Sequence, residues 1–205
     1  MIGALLDLVL PESCSACYRP QKGSLCEDCL SEIPVEPRKG PPIPLVDETF
    51  VLAPYTEGLQ RILRDIKFRE MSLLADRFGD YLANQLSEPP VINADLWTVV
   101  PLYKTRERYR GFNQVTNLFQ PLINKFGLPQ DQSILSRVKA TPRLFQWNRS
   151  ERVQLMESAF ETNRSLNNSH VVLLDDILTS GTTVQTCAKS FRDQGASRVT
   201  VITLT

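Results

Sequence analysis

What this chain has little of narrows its chemistry early. Lys plus Arg and Asp plus Glu number 23 each, so no excess of one sign advertises a nucleic acid or a membrane surface, and any such contact has to come from a local patch. The one histidine, His170, has no partner at metal-ligand spacing and reads as a surface or strand-edge residue. No GxxxxGK[ST] occurs, which removes the commonest nucleotide loop. No apolar run reaches bilayer length: residues 2–10 are broken by Asp7 and lack both a basic start and a small-residue cleavage site. They read as a short amphipathic helix, not as a signal peptide.

What is present is ordinary in bulk and distinctive in places. Hydrophobic content is 42% and charged content 22%, as in soluble globular proteins. A chain of 205 residues holds one core of roughly 150 residues and a small appendage. The expected division is a four-cysteine module with its N-terminal helix (1–33), a proline-rich linker (34–46) and an α/β domain (47–205).

The α/β domain is organised around residues 171–183, VVLLDDILTSGTT. Four consecutive apolar residues suit a strand buried on both faces of a parallel sheet. Asp175 and Asp176 end that run, where ligands of doubly wound sheets bind. Leu178, Thr179, Ser180, Gly181, Thr182 and Thr183 then form a small-residue turn into a helix over 184–194. Backbone N–H groups of such a turn converge on an anion, the hydroxyls add donors, and Gly181 lets the backbone come close. A carboxylate pair beside a phosphate cradle suits a vicinal diol, so the ligand described is a sugar with a phosphate and free hydroxyls. A buried strand with an acidic helix cap is the competing structural reading.

Two CxxC pairs, Cys14/Cys17 and Cys26/Cys29, have zinc-ribbon spacing. Four thiolates on one ion would hold a segment too small for its own core and leave no open position, so the zinc is read as structural. Disulfides are the alternative. The fifth cysteine, Cys187, is expected in the core, and no export signal is seen, which favours a reducing, cytoplasmic setting.

Between these motifs the pattern predicts a strand over 49–54, helices over 58–69 and 73–86, and a buried strand over 96–101. Lys67 and Arg69 close the first helix. After the buried strand comes a loop carrying Lys104, Arg106, Arg108 and Arg110, then a helix opened by Gly111-Phe-Asn-Gln114 and running to Phe126. Cations after a parallel strand suit a pyrophosphate; a solvated turn or a nucleic-acid patch suits the same composition. Strands are expected over 131–139, 157–162 and 198–204, with a polar loop over 141–153.

The 171–183 stretch resembles the phosphoribosyl pyrophosphate (PRPP) motif of type I phosphoribosyltransferases. With the four cysteines, Tyr55, Gly58, Lys67-Phe-Arg69, Val100-Pro101-Leu102 and Arg110-Gly-Phe-Asn-Gln114, the resemblance narrows to the ComF competence-type proteins and covers nearly the whole chain. It implies a type I phosphoribosyltransferase-like (Rossmann-like), mostly parallel sheet flanked by helices, preceded by a small zinc ribbon. It implies PRPP on Asp175, Asp176 and residues 178–183, with Lys67, Lys104, Arg106 and Arg110 on the pyrophosphate and Mg²⁺ side. Arg149 and Arg152 would belong to a mobile closing loop. The implied activity is phosphoribosyl transfer to a nitrogen nucleophile, nucleobase-type, linked to DNA uptake. A non-catalytic PRPP- or nucleotide-binding competence adaptor is the alternative. A helicase or recombination partner is implied, and a homodimer is an assembly found among type I relatives. The sequence departs from the family's pattern at Tyr103 (His), Leu144 (Gln) and Leu155 (Asn).

Overall fold

A computed structural model describes residues 13–68, 71–140 and 158–205. The expected helix over 2–10, Arg69, and the closing-loop residues Leu144, Arg149, Arg152 and Leu155 lie outside the described residues.

Five strands form the main sheet: β1 (Arg38–Lys39), β2 (Glu48–Val51), β3 (Leu96–Val99), β6 (His170–Asp175) and β7 (Arg198–Thr203). Their order is β1-β2-β7-β6-β3, parallel throughout except for β1, which pairs antiparallel on the β2 edge. A separate antiparallel pair joins β4 (Leu135–Arg137) to β5 (Phe160–Thr162).

The apolar run in β6 is continuous because both faces of this strand are covered. Val172 and Leu174, with Ile202 and Leu204, share a core with α2 (Glu57–Phe68), α3 (Ser72–Gln85) and α5 (Gln114–Phe126). Their alternates, Val171, Leu173, Val199 and Val201, share a second core with α6 (Thr182–Asp193) and the β4–β5 pair. The period-two alternation of a strand thus separates two apolar sets, one for each helical layer.

On the first layer α3 and α5 pack closely. A Cβ built on Gly79 would stand 2.7 Å from the Leu118 carbonyl oxygen and 2.8 Å from that of Asn117. Pro121, inside α5, has no N–H to return to Asn117, so this carbonyl faces the neighbouring helix without its intrahelical donor.

The four-cysteine segment, with the short helix α1 (Glu27–Ser31), joins that same core through Cys14, Ala16, Leu25, Cys29, Leu30 and Ile33. Polar contacts fix its seat: Arg61 donates to the Ala16 carbonyl at 2.8 Å, Arg64 to the Tyr18 hydroxyl at 2.8 Å, and Tyr81 to the Ile33 carbonyl at 2.8 Å. The proline-rich stretch lies along the sheet edge. Glu36 N–H donates to the Leu52 carbonyl and Gly40 N–H to that of Thr49, while Ile43 is buried in the second core. Prolines and a two-residue ladder are what an edge tolerates.

Residues 104–110, expected as a loop, form the helix α4 (Lys104–Arg110). The run has neither Gly nor Pro, and Gly111, at φ +79°, supplies the left-handed C-terminal stop. Among the described residues no helix is long and apolar enough to cross a membrane.

Candidate functional site

Asp175 ends β6, an interior strand flanked by β3 and β7, so the acid pair emerges at that strand's carboxyl end. The chain then turns: Leu178 N–H donates to the Thr205 carbonyl at 2.7 Å, and Gly181 sits at φ +74° as the residue before α6. No side chain caps that helix start, although the Ser180 and Thr182 hydroxyls lie 3.0 Å apart beside it. The first-turn N–H groups of a helix have no intrahelical acceptor and carry the positive end of its dipole. They line a small concavity with Asp175, Leu178, Thr179, Ser180 and Thr183. Ile43 packs 3.4 Å from where a Gly181 Cβ would stand, so the proline-rich edge segment backs the loop.

The two acids have different surroundings. Asp176 is buried, and its Oδ1 accepts from Lys67 Nζ at 2.9 Å while its Oδ2 accepts from Gln114 Nε2 at 2.8 Å. Asp175 accepts the Asp176 backbone N–H at 2.9 Å. Burial first, and the neighbouring Asp176 charge second, push its carboxyl up to about 7, against the opposing pull of that N–H, Lys67 and Arg137. One acid is therefore tied to the protein, and the other is poised near neutrality.

Around this pair the fold gathers most of the residues expected from sequence. Lys67 arrives on the last turn of α2. Arg110, at the end of α4, donates to Gln114 Oε1 and through it reaches Asp176. Lys104, Arg106 and Arg108 stand exposed on α4 and make no ion pair among the described residues. The charge of Arg106 acts on Arg137, which in turn acts on Asp175, so α4 lies within electrostatic reach of the acids. Tyr103, where the ComF pattern has His, is the residue before α4.

Two residues were not singled out from sequence. Gln114 enters the sequence reading only within the Arg110–Gln114 signature, whose place at a helix start is the one sequence signal; its burial is seen only in the fold. Arg137 falls within the strand expected over 131–139 without being marked out there; on β4 its guanidinium stands 5.3 Å from the Phe160 ring centroid and burial lowers its pKa. His170 begins β6, half-buried, with Nε2 2.9 Å from the Thr200 hydroxyl; burial and then Arg198 depress its pKa. Cys187 is fully buried beneath the loop, and burial pushes its thiol well up.

The other site is the cysteine cluster. The thiols of Cys14, Cys17, Cys26 and Cys29 lie within 4.8 Å of one another, and Cys17 Sγ is 3.9 Å from Cys26 Sγ. Tetrahedral zinc with Zn–S bonds near 2.3 Å needs S···S edges of about 3.8 Å, so the donor set fits one such ion. Burial raises the Cys14 thiol, but N–H groups of Cys17, Cys26 and Ala16 outweigh it and bring it down to about 6; burial drives Cys29 upward.

No protein-family model matches the chain. Curated relatives do. DNA utilization protein YhgH of Salmonella typhimurium is 29% identical over 201 residues, covering 92% of this chain and 87% of its own length. Competence protein F of Haemophilus influenzae is 28% identical over 188 residues, 86% of this chain and 76% of its own. Competence protein ComFC of Bacillus subtilis is 27% identical over 197 residues, 93% and 76% respectively. The chain is a homologue of the YhgH, ComF and ComFC proteins. Matches of this breadth run over most of the chain, so the likeness is not confined to one short motif. A solved structure of the allosteric regulatory enzyme of purine biosynthesis matches 66% of the chain and 26% of its own, at 20% identity and a TM-score of 0.41.

Proposed function

We propose that the chain binds PRPP at the carboxyl end of β6 and transfers its phosphoribosyl group to a nitrogen nucleophile, in the service of DNA taken up by the cell. The observation that carries this reading is the junction of a carboxylate pair, Asp176 buried and Asp175 half-buried, with an uncapped helix start at Gly181. The 5′-phosphate would take the N–H groups and hydroxyls of residues 178–183, and the ribose diol the acids, with Asp175 as the acceptor that has room to answer it. Lys104, Arg106 and Arg110 would face the pyrophosphate, whose charge grows as the C1–O bond breaks. Mg²⁺ carried in by the pyrophosphate would neutralise part of that charge. The link to DNA follows the names of the homologues, which are described as DNA utilization and competence proteins. Zinc in the cysteine cluster would be structural, fastening the N-terminal segment to α2 and α3.

A second reading, binding without turnover, is favoured by Tyr103, Leu144 and Leu155. Measuring pyrophosphate release from PRPP and Mg²⁺ with a panel of nucleobases separates the two. Base-dependent release supports transfer; tight binding without release supports a sensor or adaptor.

A further inference from the structure

Gln114 is buried at the first position of α5 and makes two side-chain hydrogen bonds of opposite sense. Its amide oxygen accepts from Arg110, and its amide nitrogen donates to Asp176 Oδ2 at 2.8 Å. The orientation follows from chemistry: a guanidinium only donates and a carboxylate only accepts, so the amide can serve both in one way alone. The α5 start is itself pinned. Asn113 accepts the Val115 N–H at 3.0 Å and donates to the Val100 carbonyl at the end of β3 at 3.1 Å. Lys67 occupies the other oxygen of the same carboxylate at 2.9 Å.

Asp176 is thus satisfied by the protein on both oxygens, and one of its donors is also bonded to the last residue of the basic helix α4. A buried amide thus joins the cationic and acidic halves of the cleft.

Resting on the phosphosugar reading of residues 175–183, we propose that Gln114 is a positioning residue that makes the two halves interdependent: an anion drawn to Arg110 frees the Gln114 amide and opens Asp176 Oδ2 to the sugar diol. Arg110 meets Gln114 through Nη1, and turning its rigid fork so that two N–H groups face pyrophosphate oxygens takes Nη1 away from the amide. When it turns to the anion, the amide loses the partner that held it against Asp176, and a ribose hydroxyl takes the vacated acceptor. Pyrophosphate and ribose 5-phosphate therefore bind with positive coupling, and by linkage each raises the affinity of the other by the same factor.

The test is calorimetric titration of the full chain with ribose 5-phosphate at fixed Mg²⁺, with and without inorganic pyrophosphate. Wild type is expected to bind ribose 5-phosphate about tenfold more tightly in the presence of pyrophosphate. Gln114→Met keeps the size and removes both hydrogen bonds. It is expected to bind ribose 5-phosphate alone at least as well as wild type and to show a coupling factor near one. Gln114→Leu, which also lacks both hydrogen bonds and leaves Arg110 in place for the pyrophosphate, serves if the first variant does not fold; it too is expected to show no coupling. A folded variant that retains the wild-type coupling overturns the proposal, as does a wild type that binds both ligands independently. A uniformly weakened site with unchanged coupling marks Gln114 as merely structural and also overturns it. Failure of wild type to bind ribose 5-phosphate removes the phosphosugar reading and this proposal together.

Discussion

Asp175 gains and loses its proton in different places folded and unfolded, and this gives the site a pH signature. Its carboxyl titrates near 3.8 in the unfolded chain and at about 7 in the folded one. The folded state therefore holds the proton longer, and the penalty for ionising it is absent below about 4, grows between 4 and 7, and is constant above. Asp175→Asn is expected to melt above wild type at pH 8 and to lose that advantage as the pH falls toward 4. PRPP binding through the ionised form runs the other way, about tenfold weaker at pH 6 than at pH 8. Flat melting differences, or affinity that rises on acidification, would remove Asp175 from this role. At the neighbouring acid, Lys67→Met leaves a buried carboxylate with Gln114 alone. The loss is expected to be about 2 kcal/mol in denaturant unfolding, below the cost for a wholly buried pair because the ammonium still reaches solvent. The acid pair was legible in sequence because two adjacent aspartates after an apolar run have few structural uses. The partners of Asp176 were not, since Lys67 and Gln114 are 109 and 62 residues away from it.

Among the elements, Gly79 and Gly181 are required for different reasons, a close helix approach and a left-handed turn. Gly79→Ala would drive a methyl into the Leu118 and Asn117 carbonyls, both backbone, and is expected to destabilise by about 1 to 3 kcal/mol through separation of α3 from α5, leaving anion affinity unaltered. Gly181→Ala is the converse: the left-handed φ of +74° costs only about 1 to 2 kcal/mol, but the strain falls on the loop itself, so phosphate affinity is expected to drop more than stability does. Calorimetric titration beside chemical unfolding separates the two effects. Helices α2, α3, α5 and α6 were readable from their apolar spacing to within a residue or two. Residues 104–110 read as a loop in sequence because none of their side chains is buried, and periodicity has nothing to register on such a helix.

For the whole molecule, the cysteine cluster and the sheet share one apolar core, and α2 touches both ends of it. Arg61 and Arg64 hold the cluster's loop through Ala16 and Tyr18, while Lys67, one turn on, holds Asp176. Chelation of the bound metal, or Cys26→Ser, is expected to lower the melting temperature of the entire chain in a single transition. A separate early transition confined to the N-terminal segment would contradict this shared core. Sequence spacing announced the metal module plainly but not its seat, because the contacts that seat it are long-range and mostly to backbone carbonyls.

The most direct test of the central reading is calorimetric titration of the zinc-loaded chain with PRPP and Mg²⁺, beside the double substitution Asp175→Ala/Asp176→Ala. A saturable heat in wild type that disappears in a folded double variant is the result expected. No binding by wild type, or undiminished binding by the variant, would contradict a PRPP site at the carboxyl end of β6.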